Sequence, residues 1–218
     1  MSLRYSYTLF APIYDILVAS FTVAARRRSL ALLGEEPPTH ALLVGIGSGL
    51  DLPLLPQGPQ YTGLDLTPAM LARARCKAAE LGLEIRLDEG DARRLPYDDA
   101  AFDAVVLHLI LAVTPHPEQV LAEAARVLQP GGRILILDKF LRIDQSAPLR
   151  RLISPVLGVL ATRTNVVFEQ ALAVTPELAV VSDQPALASG WFRLIVLRKQ
   201  PLGWTLPNAE FPPVLQSL

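Results

Sequence analysis

The chain has 218 residues, which is enough for one sizeable domain with a continuous core and too few for a second full domain of ordinary size. Its 20 basic and 21 acidic residues give a formal net charge of −1, so no overall field attracts nucleic acid. The single cysteine, Cys76, excludes an intramolecular disulfide and fits a reducing compartment. We therefore expect a cytoplasmic protein without a nucleic-acid partner.

The N-terminal segment is apolar and raises the question of a membrane. Leu9–Ala25 is interrupted by Pro12 and Asp15 and is shorter than the about 20 apolar residues that span a bilayer. Three arginines follow at residues 26–28, whereas a secretory signal carries its positive charge before the apolar stretch. No transmembrane segment is predicted. Two alternatives stay open: residues 9–28 contact the inner face of the membrane, or they form a helix that packs on the domain with a solvated basic end.

Short apolar runs alternate with helical stretches from residue 40 onward. Strands are predicted at His40–Gly45, Gln60–Asp65, Glu84–Asp88, Phe102–His108 and Arg133–Asp138. Helices are predicted from Pro68 to Leu81, between the N-cap Thr67 and Gly82, and from Pro117 to Leu128, before a turn at residues 129–132. A mostly apolar helical region at 147–173 precedes two apolar runs, Leu178–Val181 and Trp191–Leu197, which are predicted to pair as an antiparallel hairpin at the sheet edge.

This order of elements predicts the fold class. Strands joined by helices or compact crossovers form a parallel sheet with both faces covered. The near-continuous apolar run VVLHLIL at residues 105–111 indicates a strand that is buried on both sides. We predict an α/β protein with a doubly wound, Rossmann-like sheet over residues 39–200, an N-terminal helical cap segment at 1–38 and a proline-rich tail at 201–218.

A glycine-rich loop follows the first predicted strand. Its glycines are Gly45, Gly47 and Gly49, and Asp65 ends the next strand 20 residues after the first of them. Ligands of open parallel sheets bind outside the carboxyl ends of the strands, where glycines let a backbone approach closely. Leu50 replaces the last glycine of the dinucleotide fingerprint and Pro53 follows soon after, which disfavours a pyrophosphate cradle. The loop therefore predicts a nucleoside without phosphates, with Asp65 on the ribose hydroxyls.

Four motifs in order resemble the class I S-adenosylmethionine (SAM) dependent methyltransferases: LLVGIGSG, GLDLTPAMLARAR, EGDARRLPYDDAAFDAVV and RVLQPGGRILIL. They cover most of residues 40–138. The resemblance implies SAM as cofactor and a seven-stranded sheet, parallel except for an antiparallel last strand. Within the family, GIGSGLDLPLLP followed by GLDLTPAMLARAR is most similar to bacterial phospholipid N-methyltransferases that act on phosphatidylethanolamine. The N-terminal Ala-Pro-Ile-Tyr-Asp is shared with related quinone C-methyltransferases.

The resemblance also implies roles for individual residues. At the ribose and methionine of SAM, the glycines at 45, 47 and 49 (Gly45, Gly47 and Gly49) are expected to pass beneath the ligand, and Asp65 is expected to hold the ribose hydroxyls. At the adenine, Leu66 is expected to lie against the ring, and Asp91 and Ala92 are expected to meet the amino group. Leu107 and His108 are expected to lie near the methionine part. For Asp65 and Asp91 the structural alternative is a helix-capping or loop carboxylate. One departure is Leu43, because family members commonly carry Asp or Glu at this position to help place the SAM amino group.

The acceptor side is less defined by sequence. Methyl transfer from a sulfonium is an in-line displacement, so no catalytic nucleophile and no metal site are expected. A methylated amine carries a positive charge that aromatic faces stabilise, which favours Tyr5, Tyr7 and Tyr14 as substrate contacts. Arg150, Arg151 and Arg163 are available to a lipid phosphate, with solvated helix ends as the alternative.

Several functions stay open at this point. The favoured one is methylation of an apolar or lipid acceptor, above all the amine of phosphatidylethanolamine. A second is carbon methylation of a prenylated quinol, for which His108 would be the base to test. The remaining alternatives are methylation of a small soluble acceptor and a non-catalytic relative that binds lipid or membrane.

Overall fold

The computed structural model describes residues 22–140, 168–187 and 191–201. Several sequence predictions fall outside these residues and stay predictions. They are the apolar N-terminal segment up to residue 21 with the tyrosines at 5, 7 and 14, the arginines at 150, 151 and 163, most of the helical region 147–173 and nearly all of the proline-rich tail.

Seven strands form one sheet in the order β3-β2-β1-β4-β5-β7-β6. The strands are β1 His40–Val44, β2 Gln60–Asp65, β3 Arg86–Glu89, β4 Phe102–His108, β5 Leu128–Lys139, β6 Leu178–Leu187 and β7 Phe192–Lys199. The pairs among β1 to β5 are parallel, and β7 runs antiparallel to both β5 and β6. The predicted α/β sheet with an antiparallel last strand is confirmed, and β7 is inserted between β5 and β6.

Helices cover the sheet. They are α1 at residues 22–35, a short 3-10 helix Leu52–Leu54, α2 Pro68–Leu81, α3 Pro117–Val127 and α4 Phe168–Leu172. Gly82 adopts the left-handed conformation (φ 61°) that ends α2, as predicted. Thr67 is the N-cap residue, but its side chain makes no capping hydrogen bond. Within the described residues, no helix is both long enough and apolar enough to cross a bilayer.

Several strand boundaries differ from the prediction by one or two residues, and β5 and β6 differ by more. Strand β6 extends to Leu187, six residues beyond the expected end at Val181. The third strand begins two residues later than expected, at Arg86. The fifth begins at Leu128, directly after α3, and includes the predicted turn at 129–132. A register shift in the β4–β5 pairing, between Phe102 and Ala104, absorbs the extra residues, and Gly131 takes a left-handed conformation (φ 80°). The Pro-Gly-Gly signal thus marks a bulged strand, where a turn was expected.

The core has two layers because alternate residues of each strand face opposite sides of the sheet. Leu42 and Val44 of β1 pack with the α3 and α4 side, whereas Ala41 and Leu43 pack with residues of α1 and α2. Each fully buried leucine contributes about 1.5–3 kcal/mol to folding. Leu43 is only 1% exposed, so the family's carboxylate position lies within the hydrophobic core of this chain.

The arginine run at 26–28 does not act as one basic patch. α1 turns Arg26, Ser29, Leu30 and Leu33 inward, whereas Arg27 and Arg28 are exposed. This spacing follows the period of a helix that packs on a domain. A solvated basic end with three arginines was expected, but only Arg27 and Arg28 are exposed and Arg26 is buried. The domain boundary after residue 38 stays a prediction.

Candidate cofactor site

The glycine loop turns sharply at the end of β1. Gly45, Gly47 and Gly49 have positive φ angles of 70°, 57° and 79°, a conformation that other L-residues adopt only with strain. A Cβ at Gly45 would lie 2.8 Å from Ile110 Cδ1. Around Gly47, in contrast, no atom of the described residues lies within 4 Å of the position that a Cβ would take. The Gly47 backbone is therefore open to a ligand.

Asp65 connects the end of β2 to this loop. Its carboxylate accepts hydrogen bonds from the backbone N–H of Gly47 and of Thr67, each at 2.9 Å. Burial raises the pKa of Asp65, and these N–H donors oppose that shift. A carboxylate has about four acceptor positions, so it can also accept a bond from a ligand hydroxyl. The adjacent Leu66 is 49% exposed and offers an apolar surface beside the carboxylate.

The segment after β3 lies beside Asp65, because the Gly90 N–H donates to the Asp65 carbonyl at 3.0 Å. Asp91 is held by Arg93, whose Nη2 and Nε lie 2.6 and 3.0 Å from its two carboxylate oxygens. The hydrogen bond from the Arg93 side chain, opposed by partial burial, lowers the pKa of Asp91. Ala92 is buried beside it. The sequence had not indicated that Asp91 is already paired.

The end of β4 lies next to the end of β1, since Leu107 pairs with Val44. The Leu107 side chain is fully buried in the core, so it presents no side-chain surface to a ligand. The His108 side chain is 2% exposed. Its Nδ1 lies 3.0 Å from Asp51 Oδ1, and its Nε2 lies 2.9 Å from Ser29 Oγ.

Asp51 also pairs with Arg26, whose Nη1 lies 2.7 Å from Asp51 Oδ1. We call Arg26, Ser29, Asp51 and His108 the polar cluster; all four residues are buried. Burial alone would raise the pKa of Asp51, but the charges and hydrogen bonds of His108 and Arg26 outweigh it and hold that pKa below its usual range. Sequence reasoning missed this cluster. The one signal was Asp51 itself, an acidic residue between leucines in GLDLPLLP.

The structure thus brings Gly45, Gly47, Gly49, Asp65 and Leu66 together at one edge of the sheet, with Asp91 close by and His108 beneath the surface. In the described part of the chain, no group of three or more His, Cys, Asp or Glu residues could hold a metal ion.

Comparison with known proteins agrees with this architecture. The family model for a methyltransferase domain matches residues 42–136. A phosphatidylethanolamine N-methyltransferase of Cereibacter sphaeroides is 35% identical over 199 residues, which cover 89% of this chain and 96% of that protein. This chain belongs to the SAM-dependent methyltransferases. The methyltransferase also resembles a demethylmenaquinone methyltransferase of Thermus thermophilus, with 39% identity over 140 residues, 61% of this chain and 63% of that protein.

Solved structures share the fold at low identity. A Haloferax volcanii chain, solved in complex with a methyltransferase activator, has a TM-score of 0.70 and 18% identity, and the match covers 92% of this chain and 99% of that one. The [4+2]-cyclase SpnF has a TM-score of 0.65 and 20% identity, with 80% of each chain covered. Because a cyclase shares this fold, the fold alone does not define the reaction.

SAM is the cofactor of this methyltransferase, and the residues at the sheet edge fit it. SAM is a nucleoside sulfonium without phosphates. The loop offers the open Gly47 backbone, Asp65 offers an acceptor for hydroxyls, and Leu66 offers an apolar surface for a base. An acidic side chain from β1 is absent, because position 43 is a buried leucine.

Proposed function

We propose that this methyltransferase transfers a methyl group from SAM to the amine of phosphatidylethanolamine or a closely similar lipid. The observation that carries the proposal is the extent of the similarity to the Cereibacter sphaeroides enzyme, 89% of this chain. That alignment necessarily runs well beyond the domain match at 42–136. The fold is shared by many activities, so similarity that includes the flanking segments bears on the acceptor more than similarity of the sheet does.

The cofactor end of the site is proposed as follows. Asp65 accepts hydrogen bonds from the ribose hydroxyls, Leu66 packs on the adenine, and the glycine loop passes beneath the ribose and methionine. Asp91 and Ala92 meet the adenine amino group, and the backbone at Leu107 and His108 lies near the methionine. The support is the open Gly47 backbone and the half-exposed Leu66, next to a carboxylate that is fixed by two backbone N–H groups.

When bound, SAM supplies an electrophilic methyl group on sulfur. The protein has to align the acceptor with it and keep water away, and an amine has to arrive unprotonated, because its lone pair attacks. Desolvation favours the neutral amine. The tyrosines at 5, 7 and 14 stay our proposal for the surface that accepts the resulting cation. Contact with the inner face of the membrane through residues 9–28 belongs to the same proposal, now with Arg27 and Arg28 as its basic groups.

Carbon methylation of a quinol is the second candidate, and the identity to the Thermus thermophilus enzyme favours it. That chemistry benefits from a base that removes a phenolic proton. His108 is a poor candidate for this base, because its side chain is 2% exposed and both ring nitrogens have partners within 3.1 Å. This burial supports the amine acceptor over the quinol.

The test is an incubation of the purified protein with methyl-labelled SAM and mixed vesicles that contain phosphatidylethanolamine and a prenylated demethylquinol. We expect label in the methylated amine lipids, and no label with the Asp65→Ala variant. Label confined to the quinone fraction would refute the phospholipid proposal. Label in neither lipid class, from a protein that binds SAM, would point to a small soluble acceptor.

A further inference from the structure

We infer that Asp51 is a positioning residue for SAM binding, which acts through the polar cluster on both ends of the glycine loop. The inference rests on the SAM-dependent activity of this chain and is independent of the methyl acceptor.

The polar cluster joins three separate parts of the fold. Arg26 and Ser29 belong to α1, Asp51 directly precedes the 3-10 helix after the glycine loop, and His108 ends β4. All four are buried at the carboxyl edge of the sheet. A buried ion pair adds little net stability, because the loss of hydration offsets most of the attraction between the charges. Removal of one partner alone is harmful, because it leaves the other charge buried and unpaired.

Asp51 is connected to one end of the glycine loop through Leu52. The Leu52 N–H donates to the Gly49 carbonyl at 3.3 Å. Leu52 Cδ1 lies 2.7 Å from the position that a Cβ on Gly49 would take, so the leucine packs directly on this glycine. A shift of Asp51 therefore moves the side chain that holds Gly49 in place.

His108 is connected to the other end of the loop. The next residue, Leu109, has a positive φ angle of 59° and donates its N–H to the Leu137 carbonyl at 2.8 Å. Ile110 follows, and its Cδ1 lies 2.8 Å from the position of a Cβ on Gly45. Asp51 orients the His108 ring from Nδ1, while Ser29 holds Nε2. One carboxylate thus fixes the neighbours of both Gly45 and Gly49.

The consequence concerns binding more than folding. Arg26 and His108 both contact the Asp51 carboxylate, so a neutral side chain at position 51 weakens both contacts. The packing of neighbouring side chains on Gly45 and Gly49 is then less firmly held. Small displacements of a binding loop have large effects, since a misplacement of about 1 Å can change a rate by about a hundredfold.

The experiment measures the Kd of SAM by calorimetry, without any acceptor, together with the melting temperature. Asp51→Asn is expected to weaken SAM binding about tenfold or more and to lower the melting temperature. The double variant Arg26→Gln/Asp51→Asn contains no unpaired buried charge from this ion pair. We expect it to recover most of the melting temperature and to keep the weakened SAM binding.

Asp103→Ala is the matched control. Asp103 Oδ2 accepts the backbone N–H of Thr39 and His40 at 2.9 and 2.8 Å, at the opposite edge of the sheet. This variant is expected to melt at a lower temperature and to bind SAM within twofold of the wild type. SAM binding at the wild-type level in the double variant, or an equal loss in Asp103→Ala, would overturn the inference. Ser29→Ala keeps both members of the ion pair and gives the same comparison should the charge variants fail to fold.

Discussion

Two glycines have nearly the same backbone conformation, so alanine substitutions at these positions distinguish an effect on the melting temperature from an effect on SAM binding. Gly47 has a φ of 57° and Gly82 a φ of 61°. For both, a Cβ would meet no atom of the described residues within 4 Å. Gly47 lies in the loop proposed to hold SAM, whereas Gly82 ends α2.

An alanine at either position keeps a left-handed conformation at a cost of roughly 1–2 kcal/mol. For a domain of this size, each kcal/mol lowers the melting temperature by about 2–4 °C, so both Gly47→Ala and Gly82→Ala should melt about 2–8 °C below the wild type. Only the methyl group at position 47 would enter the space proposed for SAM. Overpacking of about 1–3 kcal/mol against the ligand corresponds to SAM binding weakened about 5- to 150-fold.

The assay combines thermal denaturation with calorimetric titration of SAM for both variants. We expect similar melting temperatures and a loss of affinity in Gly47→Ala alone. Wild-type affinity for SAM in Gly47→Ala, or an equal loss of affinity in Gly82→Ala, would show that Gly47 does not lie against the cofactor. A large difference in melting temperature would instead contradict the equal strain assigned to the two positions.

Three further predictions concern charged groups. Burial raises the pKa of Asp138 to about 6 from an ordinary value of 3.8, so the folded state binds an extra proton between these pH values. Relative to Asp138→Asn, the wild type should lose about 2 kcal/mol of unfolding free energy as the pH rises from about 4 to 6, measured by urea denaturation. Arg93 occupies both oxygens of Asp91, and a partly exposed pair is worth about 0.2–1 kcal/mol, so Arg93→Ala should tighten SAM binding about 1.4- to 5-fold in calorimetry. The double variant Arg27→Glu/Arg28→Glu should bind anionic vesicles at least about tenfold more weakly in flotation, at about 1 kcal/mol per basic residue near the surface.

Each of these predictions has a contrary outcome. A constant stability difference across the pH range would mean that Asp138 does not titrate there. Weaker SAM binding by Arg93→Ala would mean that the arginine contacts the cofactor instead of competing with it. Arg75→Glu/Lys77→Glu, on α2, is the charge-matched control for the vesicle experiment, and an equal loss in that variant would show that net charge alone governs binding.

The sheet was predictable because its strands carry strong local signals. The strand Phe102–His108 was predicted with its observed bounds, since a short and almost unbroken apolar run is typical of a strand buried on both faces. The start of β5 was not, because Pro130, Gly131 and Gly132 indicate a turn by composition. Only the tertiary pairing with β4, with its register shift, brings them into the sheet.

The part of the candidate site formed by residues at strand ends was predictable, because the carboxyl ends of parallel strands meet at the ligand-binding edge of the sheet. Asp65 ends a strand, and its carboxylate lies against the glycine loop as that position requires. The polar cluster was not predictable, because Arg26 and His108 lie 25 and 57 residues from Asp51. An arginine in a basic run and an aspartate in a loop are ordinary surface features until the fold buries them together.

The position of β7 between β5 and β6 has a consequence for synthesis of the chain. Among the described strands, β6 pairs only with β7, although it precedes β7 in the sequence. While the ribosome makes residues 178–187, this segment has no hydrogen-bonding neighbour, and it carries Val180 and Val181, which stay exposed even in the finished fold. Domains generally fold as units, and unpaired strand edges that are exposed before folding is complete are prone to aggregate. The sheet can therefore be completed only when Lys199 has left the exit tunnel. In a nascent chain halted before β7, we expect chaperones to bind the unpaired β6 segment.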